Sequence, residues 1–371
     1  MKGSARLLIL LLAIGLNSCT LSRMVIYQFS DIKDYKRFAS RPLTASPEPF
    51  VFPSLPNEQL LATTPLRVQH AEQVHDLDSL LPHTNSVAFL IIQGDSIRYE
   101  NYFHDYTDTS WVASFSMAKS FTSALMGAAI DEGKIGGVDE LVVDYIPELK
   151  KYGWEKVTLK HVLLMNTGVH HQENYFNPFA GVARSYYGRK LSREVTRLKK
   201  DYEAGKHWGY KSINTQLLGE IVVRATGRTL TDYMQEKIWT PLGMEHPASW
   251  SLDQRKNGME KAFCCINATA RDFARFGRLY LHGGNWNGQQ VISEEWVRES
   301  TRAHEGNVSW YGYQWWLPTK DEAFAAEGHL GQFIYVHPKH DLIIVRLGKN
   351  SGKVNWYRIF GQIAAQMSLD A

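Results

Sequence analysis

Apolar and polar positions change period several times along the chain, and each change marks an element. The stretch "VAFLIIQGDSIRYENYF" is an apolar run, a turn at Gly94 and Asp95, and an alternating run with Ile97 and Tyr99 on one face. That pattern predicts a β-hairpin. After Ser116, the residues Phe121, Leu125, Ala128 and Ala129 recur at helical spacing, and Gly133 stands where a C-terminal cap belongs. Ser116 is therefore expected in the first turn of a mostly buried helix. From Leu141 to about Leu242 the periodicity is helical, broken by loops, with little strand signal. Near the end, "GHLGQFIYVHPKHDLIIVRLG" gives two β-rich runs around a turn at Pro338 to Asp341. A last helix follows, with Trp356, Ile359, Phe360, Ile363, Ala364 and Met367 on one face. The order hairpin, helix, helical insertion, strands, helix predicts an α+β architecture whose sheet is assembled from both ends of the chain. The cleft is expected between the two parts.

The N-terminus follows a different pattern. Lys2 and Arg6 precede the apolar run Leu7 to Leu16, which is short for a bilayer span and flanked as an export signal is. The run ends in "LNSC", where Leu16, Ser18 and Cys19 resemble the lipobox of bacterial lipoproteins, although Asn17 departs from it. By that resemblance residues 1–18 are a signal peptide, Cys19 is lipidated, and the protein is an exported cell-envelope lipoprotein on the periplasmic side of a membrane. Prolines 42, 47, 49, 53, 56 and 65 crowd the next segment, so residues 19–64 are expected as a tether or wrapping segment. The folded region is expected from residue 65 to 371, with a helical subdomain over roughly 136–242.

Composition narrows the function. With 44% hydrophobic and 21% charged residues the body is an ordinary folded domain of 371 residues, and a net charge of +3 offers no strong field for nucleic acid. Two of the three cysteines, Cys264 and Cys265, are adjacent and bridge only through a strained ring, so no ordinary disulfide framework is expected. There is no CxxC or HExxH, and the neighbouring His170 and His171 suit a loop better than a metal site. Neither a metal nor an organic cofactor is expected.

The candidate chemistry lies in "SFSMAKSF". Ser116 and Lys119 share one helical turn, close enough for the amine to reach the hydroxyl. Serine needs a base to become a nucleophile, and lysine serves as one when burial lowers its pKa. The stretch from Trp111 to Ile130 offers Lys119 no acidic neighbour to make it a surface ion pair. This serine and lysine resemble the first motif of the serine β-lactamase and penicillin-binding protein superfamily, and the resemblance runs from about Pro65 to the C-terminus.

Two further stretches carry the resemblance. "GKHWGYKSINTQLLGEIVVRATG" is similar to the Tyr-x-Asn region, with Tyr210 at the tyrosine and Ser212 replacing the asparagine. His329, Leu330 and Gly331 resemble the Lys-Thr-Gly motif as it occurs in the esterase and amidase branches. The resemblance implies a β-lactamase/transpeptidase-like fold, an antiparallel sheet flanked by helices with an inserted all-helical subdomain. It implies Ser116 as nucleophile, Lys119 and Tyr210 as general base and acid, and the backbone N–H groups of Ser116 and Gln332 as oxyanion hole. Gly331 would let an edge strand approach the substrate.

The Tyr-x-Ser variant and the loop "HHQENYFNP" resemble 6-aminohexanoate-dimer hydrolases, which cleave a linear amide, and point to Tyr175 as a substrate contact. Trp310, Trp315 and Trp316 are candidates for apolar walls. The expected activity is hydrolysis of a small ester, linear amide or peptide through an acyl-enzyme. A β-lactamase, a D-Ala-D-Ala carboxypeptidase and a non-catalytic penicillin-binding or sensor module remain the alternatives. Membrane contact is expected only through the N-terminal lipid.

Overall fold

The structure, a computed structural model, describes residues 23, 27, 29–53, 66–175, 177, 179–318 and 323–367. The signal segment 1–18 and Cys19 lie outside the described residues. Strands β1 (Ser40–Leu43), β2 (Ser86–Gln93), β3 (Ser96–Tyr102), β4 (Val112–Ala113), β5 (Ala248–Ser251), β6 (Ile266–Ala268), β7 (Phe324–Gly328), β8 (Gln332–His337) and β9 (Leu342–Gly348) form two sheets. The helices that matter to the site are α1 (Ala118–Asp131), α2 (Gly181–Tyr187), α3 (Leu191–Val195), α4 (Ser212–Thr226), α5 (Ala270–Leu281) and α6 (Trp356–Met367).

The main sheet is antiparallel with strand order β7-β8-β9-β2-β3, so its centre joins the first strands of the domain to the last. The predicted hairpin is β2 and β3, turned through Gly94 and Asp95, both at φ +57°. Such positive φ at both central residues matches the right-handed twist of the strands they join. The alternation along β2 and β9 then decides which helix each residue meets. Phe89, Ile91 and Ile344 pack with Trp356, Ile359 and Phe360 of α6, whereas Leu90, Ile343 and Val345 pack with Phe273 and Phe276 of α5. Each such side chain removed from water contributes about 1.5–3 kcal/mol, and a one-residue slip in register would present each set to the wrong helix.

Between Asp131 and Ala248 the described residues form helical segments and loops, with isolated bridges in place of strands. The helical part is fastened to the sheet part through α1, because the Phe121 ring stacks on Phe276 of α5 at 3.6 Å between centroids. Gln314 adds a polar tie: its carbonyl accepts from Ser120 Oγ at 2.8 Å, its amide oxygen from Thr215 Oγ1 at 2.6 Å, and its amide donates to the Leu163 carbonyl at 2.7 Å.

The proline-rich segment is a wrapping segment rather than a free tether over residues 29–53. Strand β1 pairs antiparallel with β5 at the edge of the second sheet, β1-β5-β6-β4, and Ile32, Phe38 and Phe52 enter the core. Pro42 is tolerated because an edge strand has a side on which no N–H is required. The folded body thus begins upstream of residue 65. Cys264 and Cys265 are bonded to each other and buried. This bridge closes within one dipeptide and ties no distant segments together, so cohesion comes from packing. No helix among the described residues is long and apolar enough to cross a membrane.

Candidate active site

Ser116 sits in a single 3-10 turn, Phe115–Met117, that runs directly into α1. The turn is held from behind by Ser114, whose N–H donates to the Ile266 carbonyl at 2.7 Å and whose Oγ accepts from the Ile266 N–H at 3.1 Å. Phe115 is forced to φ +46°, a conformation a bulky residue keeps only where its surroundings demand it. The effect is to lift Ser116 out of the core, half-buried, while Phe115 and Met117 on either side are sealed.

Lys119 follows one turn later with only 2% of its surface exposed. Its Nζ lies 2.9 Å from Ser116 Oγ and 2.9 Å from the Phe263 carbonyl oxygen. No carboxylate among the described residues forms an ion pair with it. Burial therefore pushes its pKa down to about 7, opposed by the more distant negative charge of Glu173. A large fraction of the amine is uncharged near neutrality. With one N–H donated to Phe263, its lone pair can face the serine hydroxyl.

Tyr210 approaches the same hydroxyl from the loop before α4, near enough for Ser116 to influence its ionisation. Its ring lies 5.0 Å from Lys119 Nζ, stacks on Trp316 at 5.5 Å and meets Tyr311 edge-on at 6.1 Å. Burial and the neighbouring Tyr311, Tyr175 and Glu173 raise its pKa well above the ordinary phenol value. Tyr210 is a neutral phenol at working pH, able to donate a proton or pass one along but not to serve as a standing phenolate base.

Glu173, which the sequence did not single out, ties the loop that carries Tyr175 to the start of α4, beside this group. Its carboxylate accepts from the Ser212 N–H at 2.9 Å, from Ser212 Oγ, and from Tyr175 Oη at 2.8 Å. His171 lies 3.7 Å away, but burial lowers its pKa to about 4, so it brings no compensating charge at neutral pH. The only hint in the sequence is the cluster "HHQENY" in a loop. Its meaning depends on Ser212, 39 positions away.

Edge strand β7 borders the Ser116 turn, and Gly328 at its end has no room for a Cβ, which would overlap the Ser114 carbonyl oxygen. The following residue, His329, is half-buried, with its ring edge-on to Phe115 at 5.6 Å and stacked on Tyr175 at 5.3 Å. Burial lowers its pKa, so it is neutral where the superfamily's lysine would be charged. The backbone N–H groups of Ser116 and His329 have no acceptor among the described residues.

Several expected positions need correction. Gln332, whose backbone N–H was expected in the oxyanion hole, is 0% exposed at the start of the inner strand β8, and its side-chain amide bonds the carbonyls of His329 at 3.2 Å and Gly348 at 2.7 Å. A residue with no exposed atom cannot meet a substrate. Gly331 is buried too and shapes the turn instead, at φ +82° with its carbonyl bound by the buried guanidinium of Arg346; the close backbone approach is made by Gly328. Arg346 has no carboxylate partner among the described residues; besides Gly331 it bonds the Thr84 and Asn350 carbonyls at 3.0 and 2.9 Å and the Ser86 hydroxyl at 3.0 Å. Ser212 is 1% exposed and acts on Glu173, not on a ligand. Trp315 is wholly buried between Tyr280 and Phe324, leaving Trp310 and Trp316 as the aromatic wall. Tyr175 is 45% exposed and stacks on His329 at 5.3 Å.

An antiparallel sheet flanked by helices, with Ser-x-x-Lys at a strained turn beside an edge strand, defines the β-lactamase and penicillin-binding protein class. The Beta-lactamase family profile matches residues 81–355, and the chain belongs to that family. It is similar to the 6-aminohexanoate-dimer hydrolase of Paenarthrobacter ureafaciens, with 29% identity over 302 residues covering 75% of this chain and 76% of the relative. Among solved structures it resembles the "Putative 6-aminohexanoate-dimer hydrolase from Bacillus anthracis", with a TM-score of 0.79, 26% identity and 92% of both chains covered. A family VIII carboxylesterase shares the fold, with a TM-score of 0.60 at 18% identity over 76% of this chain and 92% of the other.

Proposed function

We propose that this protein is a serine hydrolase that cleaves an ester or a linear amide by way of an acyl-enzyme. The observation that carries the reading is the buried Lys119 amine, 2.9 Å from Ser116 Oγ and without a carboxylate partner among the described residues. In the first step Lys119 takes the Ser116 proton as Oγ attacks the carbonyl carbon. The phenol of Tyr210, beside the same hydroxyl, delivers a proton to the departing alkoxide or amine and recovers one from Lys119. Water then attacks the acyl-enzyme, with the same pair removing its proton, and Ser116 leaves as the restored hydroxyl.

The unpaired N–H groups of Ser116 and His329 support an oxyanion hole at the serine, where a fixed amide donor is typically worth about 2.7–4 kcal/mol. The charge balance of the cleft favours esters and linear amides over β-lactams and D-Ala-D-Ala peptides. Both of the latter present a carboxylate, and here a neutral His329 and an anionic Glu173 replace a fixed cation.

The test is a substrate panel with Ser116→Ala as control. A short-chain p-nitrophenyl ester and a linear ω-amino amide are expected to turn over, a chromogenic cephalosporin and a D-Ala-D-Ala peptide to be poor substrates. The variant is expected to lose at least about 10⁴-fold in kcat. Ester turnover that survives the substitution would remove Ser116 from the mechanism.

A further inference from the structure

The helical part carries a charged face that the chemistry above does not use. Between positions 184 and 200 the sequence holds seven basic residues, Arg184, Arg189, Lys190, Arg193, Arg197, Lys199 and Lys200, against the single acid Glu194. The whole chain, by contrast, is nearly balanced, with 41 basic and 38 acidic residues. Glu194 is turned inward, accepting from Ser185 Oγ at 2.8 Å, with burial raising its pKa. Around α3, exposed Arg189, Lys190, Arg193 and Arg197 rim an open depression of about 640 Å³. None of the four is in an ion pair among the described residues. Asp253, the one acid lining it, is 3% exposed and accepts from the N–H groups of Leu191 at 3.1 Å and Met259 at 2.9 Å. Exposed Arg255 and Lys256 extend the same face.

The N-terminal chain arrives at this face. Arg23 donates to the Tyr187 carbonyl at 3.1 Å and to the Asp253 carbonyl at 3.3 Å, beside the depression. Cys19 precedes Arg23 by four residues and the end of the apolar run at Leu16 by seven, contours of at most about 14 and 25 Å. Whatever path that chain takes, an apolar or lipidated N-terminus held in a membrane keeps this basic face close to the bilayer.

We propose that the face formed by Arg189, Lys190, Arg193 and Arg197 docks on the phosphate headgroups of an anionic lipid bilayer, beside the point where the N-terminal chain enters the fold. A second, headgroup-selective contact then accompanies the N-terminal one. Such a contact adds headgroup selectivity to the hold of the N-terminus. Docking by α3 also limits how the domain can rotate about its tether.

Flotation of the full chain with vesicles tests this, comparing phosphatidylcholine alone with phosphatidylcholine containing phosphatidylglycerol. Binding to the neutral vesicles reports the apolar N-terminus, and the excess on anionic vesicles reports the basic face. The excess is expected to fall by roughly a hundredfold in the triple variant Arg189→Gln, Arg193→Gln, Arg197→Gln, from about 1 kcal/mol per basic residue at the surface. It should also fall at high salt, while the melting temperature and ester turnover stay as in the wild type. Equal wild-type binding to both vesicles, or an excess untouched by the triple substitution, would overturn the proposal. Saturable binding of inorganic phosphate without vesicle preference would also overturn it, marking a small-anion site.

Discussion

At the scale of single residues, the decisive quantity is the charge state of Lys119. Its surroundings remove water without supplying an anion in contact, so the ammonium is disfavoured and the pKa drops to about 7. Glu173 works against this from across the cleft. Glu173→Gln keeps an acceptor for Tyr175 and Ser212 but deletes the charge, so the Lys119 pKa should fall further. Since the base acts when unprotonated, the acid limb of kcat/KM for a p-nitrophenyl ester should move to lower pH. A limb that stays put or moves upward would show that Glu173 does not tune this amine. The serine, lysine and tyrosine were legible because a three-residue spacing and a local motif carry them. Glu173 was not, since its partners Ser212 and Lys119 become neighbours only when loop, α4 and α1 pack together.

At the scale of elements, the turn between β7 and β8 places the cleft wall. Gly331 holds φ +82°, and a Cβ there would overlap the Arg346 guanidinium. Gly331→Ala is expected to cost at least about 1 kcal/mol of stability and to lower kcat more than it raises KM, because the displaced segment carries the His329 N–H. An alanine variant with wild-type kcat and melting temperature would detach this turn from catalysis. Strand periodicity predicted both β8 and β9 and the turn at Pro338 to Asp341. Sequence alone did not say which strand lies at the sheet edge, and the resemblance that pointed to the Gln332 N–H could not show that this residue starts a buried inner strand. Edge position follows from the pairing of β7 with β8 alone, and β7 comes from "FAAEG", a segment with little strand signal of its own.

At the scale of the molecule, a sheet built from both chain ends packs against a helical insertion, and Ser116 lies in the turn that joins them. The hairpin, α1, the insertion and α6 were all visible as changes of hydrophobic period. The second sheet was not, because β1, β4, β5 and β6 are two to four residues long, and Pro42 reads locally as a strand breaker. That sheet matters to function: β6 grips Ser114, and the loop before β6 supplies the Phe263 carbonyl that holds Lys119. The central claim is that burial by this assembly leaves Lys119 an uncharged amine that activates Ser116. Its most direct test is the rate at which a fluorophosphonate labels the protein between pH 5 and 9, with the adduct mapped by mass spectrometry. A single adduct on Ser116, with a rate that rises through a midpoint near pH 7 and is lost in Lys119→Ala, is the predicted result. A rate independent of pH across that range, or undiminished labelling of the alanine variant, would contradict it.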